Sequence, residues 1–599
     1  MQREILKERY LQLAEKNSIL CIKHRKILFT LSMLRLFVFT GGTGISIACF
    51  SLSTAAGIFA VVLSVIIFLF LLNRYEFHSE RKEFFGNIEI INRNEIKALS
   101  GDLSPFNNGD RWINAFHDFS NDIDLFGHDS LFHFLNRTVT GHGRDILAQW
   151  LSAPYELSGL IKSRQETIAE LSEKTELRQE FIAHGIGKSL EKKDIEGLLQ
   201  WLNDNTGFFS SPLLNISIWL FPGLALTSLL LLIAGYLPYQ VFTIFFLINL
   251  LLVFAKLRNT NKIHMQVSKK HAFLSSFNCL FSSIEKEHFK SDILCDFKNK
   301  ISSGNLSAII RIEKLSRIIQ SFDSRLNFLV GFVLNGLVLW DFHCIRSLEK
   351  WKEESKKQFP EWLKRVGEID AFISLANFAF NNPDYCYPEQ SDHGIIFSAS
   401  MLGHPLIRQE ERVCNDLSIP GKGTVFIITG ANMAGKSTFL RTVAVNFILA
   451  MIGAPVCAYK LEYTPLKLFT SMRTTDSLSH NESYFYAELK RLKILNTRLE
   501  DDEEIFFILD EILKGTNSVD KSNGSKLFIR KIVELGGTGL VATHDTSLGE
   551  IEKEFPGIII NKCFEIEIDG ENITFDYKLK EGITQKINAA ILMKQMGIA

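Results

Sequence analysis

Paired cysteines are missing from this chain. Its nine cysteines, at positions 21, 49, 279, 295, 344, 386, 414, 457 and 563 of 599 residues, are odd in number, scattered, and contain no C-x-x-C pair. That pattern argues against a disulfide framework and against a zinc site, and reads as reduced thiols packed as small apolar side chains in a cytosolic environment. A charge imbalance is missing too: 66 basic against 67 acidic residues leave a formal net charge of -1. No global field draws the protein to nucleic acid, although a local basic stripe is compatible with a balanced total. No internal repeat or low-complexity tract is evident.

The most informative absence is of charge itself. Between Arg35 and Arg74 no charged residue occurs, and a second uncharged run extends from Asn205 to Ala255. Each is long enough for two helices crossing a hydrocarbon core of about 30 Å. The first reads as a hairpin of helices at about 32–50 and 56–72, turning near Ser51 to Thr54, with Arg35 snorkelling at its start. The second is broken by Gly235 to Pro238 into helices at about 213–234 and 239–255. A signal peptide fits the first run poorly, because some thirty polar and basic residues precede it and no small-residue cleavage pattern follows. Lys23, Arg25 and Lys26 precede the first hairpin, Arg74, Arg81 and Lys82 follow it, and Lys256, Arg258 and Lys262 follow the second. The positive-inside bias therefore predicts a multi-pass protein of the inner (cytoplasmic) membrane, with everything outside the short turns in the cytoplasm. A third apolar run, Leu326 to Trp340, is too short to span and carries Asn327 and Asn335, so it reads as a buried helix of a soluble bundle.

The remaining segments are of two kinds. Residues 1–30 read as a charged helix leading into the membrane, and 122–202 and 257–380 are helical in pattern, with Ile161, Ile168, Leu171 and Leu177 at near-helical spacing. After Asn381 to Glu389 the pattern changes to short β-rich runs alternating with helices, as expected for a mostly parallel sheet in an α/β domain from about 391 to 599.

That last third carries the chemistry. Gly430, Ala431, Asn432, Met433, Ala434, Gly435, Lys436, Ser437 and Thr438 spell GANMAGKST, a G-x-x-x-x-G-K-S loop between a predicted strand and a predicted helix. In such a loop backbone N–H groups face phosphates, the lysine reaches their β and γ oxygens, and the serine hydroxyl completes a Mg²⁺ shell. IFFILDEI ends a strand at Asp510 and Glu511: the first acid suits the metal, and the second can orient or deprotonate an attacking water. TGLVATHD puts His544 at the end of a third strand, where an imidazole can sense a γ-phosphate. Phe485, Leu489, Leu492 and Leu495 mark a helix whose N-terminus lies near Ser483.

These segments together resemble the MutS family. GANMAGKST is similar to its TGPNMGGKST loop, DSLSHNESYFYAEL to its D-x-L-x-x-G-x-STF-x-x-E segment, ILDEILKGTNSVD to LLDEIGRGTS-x-x-D, and VATHD to ATH. FDYKLKEGITQKINAAILMKQMGI resembles the family's tail, SLFHFLNRTVTGHGRDILAQWL its helical core, and EIDAFISLA with LGHPLI the approach to its ATPase. The resemblance covers roughly 122–204 and 257–599. It implies a multidomain fold: an α-helical core and lever region, here carrying two transmembrane hairpins, and a C-terminal α/β P-loop domain of ABC type. The implied segments are 1–80, 81–204, 205–256, 257–390 and 391–599.

The resemblance further implies a homodimeric ATPase using ATP and Mg²⁺, with Ser437 and Asp510 at the metal, Glu511 and His544 catalytic, and Ser483 contacting the γ-phosphate of the partner subunit. Its nucleotide-driven clamp would close on mismatched or otherwise structured DNA. Ala431 and Ala434 replace a usual proline and glycine, and Asn481, Glu482 and Tyr484 depart from the pattern around Ser483. No counterpart of the family's mismatch-reading domain fits the first hundred residues, where the first hairpin stands. A membrane-working ATPase of ABC-like mechanical or transport type, without DNA, is the alternative; the lack of charge within the hairpins offers it no substrate path.

Overall fold

The computed structural model describes residues 2–188, 192–204, 207–209, 211–302, 307–473, 484–514, 517–569 and 572–584. The chain forms two compact units: one of residues 1–101, 138–144 and 174–370, the other of 102–137, 145–173 and 371–599. Its helices in chain order begin with α1 (Gln2–Leu52), α2 (Thr54–Leu99), α3 (Leu131–Leu135), α4 (Gly141–Ser152), α5 (Ile161–Glu173), α6 (Thr175–Gly185) and α7 (Lys192–Asn203). They continue with α8 (Pro212–Ile233), α9 (Tyr239–Glu285), α10 (Asp292–Ser302), α11 (Ala308–Asp323), α12 (Phe328–Val338), α13 (Trp340–Ser355) and α14 (Phe359–Asn381).

In the first unit α1 and α2 pack along each other and break only at Ser53, whose hydroxyl accepts from the Ala56 N–H at 3.1 Å and caps α2. The polar N-terminal stretch and the first half of the first apolar run are thus one continuous helix, α1. Arg35 lies within it, its guanidinium 5.5 Å from the Phe68 ring centre and 5.0 Å from that of Tyr75. Farther along α2, Ile88, Ile91, Asn92 and Glu95 recur at helical spacing and are buried. Asn92 and Gln179 of α6 exchange two amide hydrogen bonds, at 2.8 and 3.3 Å, inside that contact.

Among the described residues four helices, α1, α2, α8 and α9, are each long and apolar enough to cross a membrane by length and composition. The second pair turns at Gly235 to Pro238, and α9 runs on unbroken to Glu285, so its apolar and basic halves are one helix. The third apolar run departs from expectation. It forms α12, but Phe328 and Leu329 are 78% and 71% exposed, and only Gly331, Asn335 and Gly336 are buried. The reason is which face meets the protein. A Cβ on Gly336 would fall 2.2 Å from the Phe246 ring, and the Gly336 carbonyl accepts from Asn249 Nδ2 at 2.8 Å, so the small and polar side of α12 docks on α9 and the large apolar side is left outward. The helix stops at Leu339, which is left-handed at φ +49°, and α13 leaves at 80°.

Burial of the cysteines is also less uniform than expected: Cys344, Cys457 and Cys563 are buried, Cys279 is exposed, and the others are intermediate. All nine are unpaired thiols.

The second unit holds two sheets. Their strands are β1 (Glu389–Gln390), β2 (Phe397–Leu402), β3 (Asn415–Ile419), β4 (Val425–Gly430), β5 (Lys460–Tyr463), β6 (Lys467–Ser471), β7 (Ile505–Asp510), β8 (Thr538–Thr543), β9 (Ile559–Asp569) and β10 (Asn572–Glu581). The larger sheet has the order β10-β9-β4-β8-β7-β6, parallel throughout except for the β9–β10 hairpin. Every residue of β4, β7 and β8 is buried, as expected for central parallel strands covered on both faces. Gly539 is required where β8 passes β7, because a Cβ there would lie 2.1 Å from the Phe507 carbonyl oxygen.

Three further helices of this unit lie among the described residues: α15 (Lys436–Met451), α16 (Tyr484–Glu500) and α17 (Ser518–Glu534). On α16 Leu492 and Leu495 are buried and Phe485 packs against the same core, as the spacing predicts, whereas Leu489 points outward and Glu488 and Leu499 complete the buried face. The smaller sheet, β1-β5-β2-β3, was not legible as such in the sequence. Residues 117–124 also belong to this unit: Asp122 accepts from the Thr470 hydroxyl at 2.5 Å and the Arg473 N–H at 2.8 Å, and Arg491 donates to the Asp118 carbonyl at 2.7 Å.

Candidate functional site

The site grows from the ends of three adjacent parallel strands. β4 delivers the glycine loop, β7 delivers Asp510 and Glu511, and β8 delivers His544, which fits the rule that ligands of open α/β sheets bind beyond the carboxyl ends of the strands. Gly430 must be glycine because a Cβ would meet the Phe564 carbonyl oxygen at 2.9 Å. Within the loop only Met433, at φ +65°, and Gly435, at φ +102°, are left-handed. Ala431 and Ala434 therefore sit where alanine carries no backbone strain. Met433 is 72% exposed at the loop tip, with Asn432 beside it.

Lys436 opens α15 and turns back over the loop. Its Nζ donates to the Gly430 and Ala431 carbonyls at 2.8 and 3.0 Å and lies 3.2 Å from His544 Nδ1. Burial pulls its ammonium down to about 8, with Asp510 opposing the shift and Lys514 adding to it. The Ser437 hydroxyl donates to Asp510 Oδ2 at 2.5 Å. His544 Nε2 is 2.9 Å from Glu511 Oε1 and 3.3 Å from the same Lys436 Nζ. Burial, followed by the Lys436 charge, holds His544 below the ordinary histidine range. With the proton on Nε2, the neutral ring donates to Glu511 and leaves Nδ1 as the acceptor facing Lys436. Lys436, Ser437, Asp510, Glu511 and His544 thus converge, and Thr438 follows on the first turn of α15. Ser483 lies outside the described residues, as do Asn481 and Glu482 and the chain beyond residue 584.

Two functional positions escaped sequence reasoning. Glu488 is buried on α16, and its carboxylate accepts from the Leu513 and Lys514 N–H groups at 2.6 and 3.0 Å. It clamps the turn after β7, in which Glu511 and Leu513 are left-handed at φ +52° and +62°, and so fixes where the Glu511 carboxylate stands. The signal was present as the glutamate closing YFYAE, but its role depends on a partner 25 residues away. Tyr577, at a bulge of β10, is the second: its ring is the nearest neighbour to a Cβ built on Gly435, at 3.0 Å. With His404, Ile407, Phe439 and Phe564 it lines a cavity of about 550 Å³ that also opens on the glycine loop. Burial beside Arg441 and Arg412 pushes His404 down to about 4, so it is a neutral ring there.

A helix-rich chain ending in a mostly parallel α/β domain, with a glycine loop set against two strand-end acids and a histidine, defines the class of protein. MutS domain III matches residues 114–376 and MutS domain V matches 426–596, so the two together account for well over half of the chain. The protein is therefore a member of the MutS family. It is 30% identical over 254 residues to the DNA mismatch repair protein MutS of Thermotoga petrophila, covering 41% of this chain and 31% of that protein. It is 33% identical over 241 residues to that of Persephonella marina (39% and 27%) and 34% identical over 253 residues to that of Finegoldia magna (41% and 29%). The chain thus spans about a third of the length of the curated relatives it matches.

Proposed function

We propose that this protein is a membrane-anchored MutS-like ATPase whose nucleotide state drives a dimeric clamp on mismatched or otherwise structured DNA. The observation that carries the reading is the convergence of Lys436, Ser437, Asp510, Glu511 and His544 around one glycine loop. The anchor rests on four apolar helices with exposed side chains, flanked by basic residues.

The donor set suits ATP and Mg²⁺. Loop N–H groups and Lys436 bind phosphate oxygens, the adjacent Ser437 hydroxyl and Asp510 carboxylate are hard oxygen donors of the kind magnesium takes, and the cavity beside Tyr577 and Phe439 has room for a base. Magnesium bound there would neutralise charge developing on the phosphate oxygens. Glu511 orients the attacking water and accepts its proton, and the neutral His544, bridging Glu511 to Lys436, senses the γ-phosphate. Ser483 is assigned the contact to the partner subunit's γ-phosphate.

Two expected results bear on this directly. After alkaline carbonate extraction, the full chain stays with the membrane pellet; release into the supernatant would overturn the anchor. The second concerns pH. Bound phosphate favours the charged form of Lys436 and raises its pKa from about 8, so binding takes up a proton above that pH and none below it. ATP affinity is then flat below pH 8 and weakens by up to about tenfold per unit above it. Calorimetry in buffers of different ionisation enthalpy measures the proton uptake, and buffer-independent heats at pH 9 would contradict it.

A further inference from the structure

We infer that the groove between α9 and α12 binds one acyl chain of an anionic phospholipid, whose phosphate is held by Arg258 and Lys262. The inference rests on the reading of α8 and α9 as a membrane hairpin. It begins with α12, which at 11 residues is about 16 Å long and matches half of a hydrocarbon core, not all of it. Its outward face is Phe328, Leu329, Phe332 and Val333, and its inner face is fixed by Gly336 and Asn249, so it is built to enter one leaflet beside the hairpin and turn back at Leu339.

Entering there, α12 leaves a groove of about 800 Å³ against α9. Its walls are apolar, from Ile244 to Leu257 on α9 with Phe328 and Phe332 opposite. That stretch of α9 rises about 20 Å, close to the depth of one leaflet. The polar floor is paired in charge: Arg325 Nε lies 3.1 Å from Asp341 Oδ2, with the two side chains 9% and 1% exposed, and Asn335 Oδ1 accepts from the Asp341 N–H at 3.0 Å, while the two Asp341 carboxylate oxygens themselves accept no hydrogen bond. Arg325 and Asp341 are the charged residues that line the groove, and because they pair with each other the groove carries no net charge of its own.

Charge complementarity names the occupant. Leu247, Leu251, Phe254, Arg258 and Lys262 follow one another at spacings of three and four, so the apolar wall of α9 continues on the same helix face into two cations. Both cations are exposed, and neither forms an ion pair among the described residues. Arg258 follows directly on the groove's end at Leu257 and Lys262 stands about one and a half turns beyond it, where a lipid lying in the groove places its phosphate. An acyl tail in the groove with a negative headgroup at Arg258 and Lys262 fits both halves of this surface.

The test uses the full chain extracted in mild detergent and exchanged against dioleoyl phosphatidylglycerol or dioleoyl phosphatidylcholine, with retained lipid counted by native mass spectrometry. About one phosphatidylglycerol per chain is expected to survive washing, with at least fivefold less phosphatidylcholine. The double substitution Arg258→Gln and Lys262→Gln should remove the preference, and Leu251→Trp, which fills the groove, should lower retention of both lipids. Equal retention of the two lipids by the unaltered chain, or an undiminished preference in the double variant, would overturn the site while leaving the anchor standing. Release of the chain from membranes by alkaline carbonate would remove the anchor and the site together.

Discussion

Replacing Lys436 by alanine abolishes ATP binding, with affinity expected to fall by at least about 10²-fold, on the scale of losing hydrogen bonds from a charged donor. The side chain donates to two loop carbonyls and faces His544 across 3.2 Å, at the mouth formed by three strand ends. No other described cation sits inside the loop. Burial depresses its pKa to about 8, so in the free protein its charge is held against a desolvation penalty. Removing it should therefore cost binding without costing the fold, and thermal melting of the variant separates the two. Undiminished ATP binding by a folded Lys436→Ala protein would sink the assignment of the loop.

Glu511→Gln has the opposite signature. ATP binding is retained, because no phosphate contact is assigned to this side chain, while hydrolysis falls by about 10²–10³-fold, the range for removal of one well-placed catalytic group. The amide can still meet His544, as the carboxylate does at 2.9 Å, but it cannot take a proton from water. The clamp at Glu488 keeps the turn in place, so the substitution tests chemistry and not position. Single-turnover hydrolysis with ATP pre-bound is the measurement, and an unchanged rate constant would take Glu511 out of catalysis.

These two residues were legible in the sequence for a local reason. A strand, a tight loop and a helix start, or a strand and its terminal acids, are encoded within a dozen neighbouring residues, so GANMAGKST and ILDE announce both their structure and their chemistry. The break at Ser53 and the turn at Gly235 to Pro238 were equally local. What escaped depends on partners far along the chain. Leu489 was expected on the core face, yet it is the neighbouring Glu488 that is buried, because N–H groups 25 and 26 residues later supply its hydrogen bonds. The short strands β1, β2, β3 and β5 carry too few residues to show a period, and their pairing joins residues up to some seventy positions apart. The run Leu326 to Trp340 was misjudged as buried because hydropathy does not say which side of a helix is offered to the protein. Gly331, Asn335 and Gly336 settle that, through contacts with Arg325, Asp341 and α9.

The family matches account for the helical middle and the α/β end of the chain, and the apolar helices α1, α2, α8 and α9 set this member's proposed place at a membrane. The proposed binding of DNA would join the two, and it can be measured directly. The full chain in detergent is titrated with duplex, mismatched and branched DNA, with and without ATP, across a series of salt concentrations. A nucleotide-driven clamp predicts binding to at least one of these, with log affinity falling linearly against log salt and shifting when ATP is present. Binding to none of them under any nucleotide condition would contradict the clamp and leave an ATPase that works on the membrane itself.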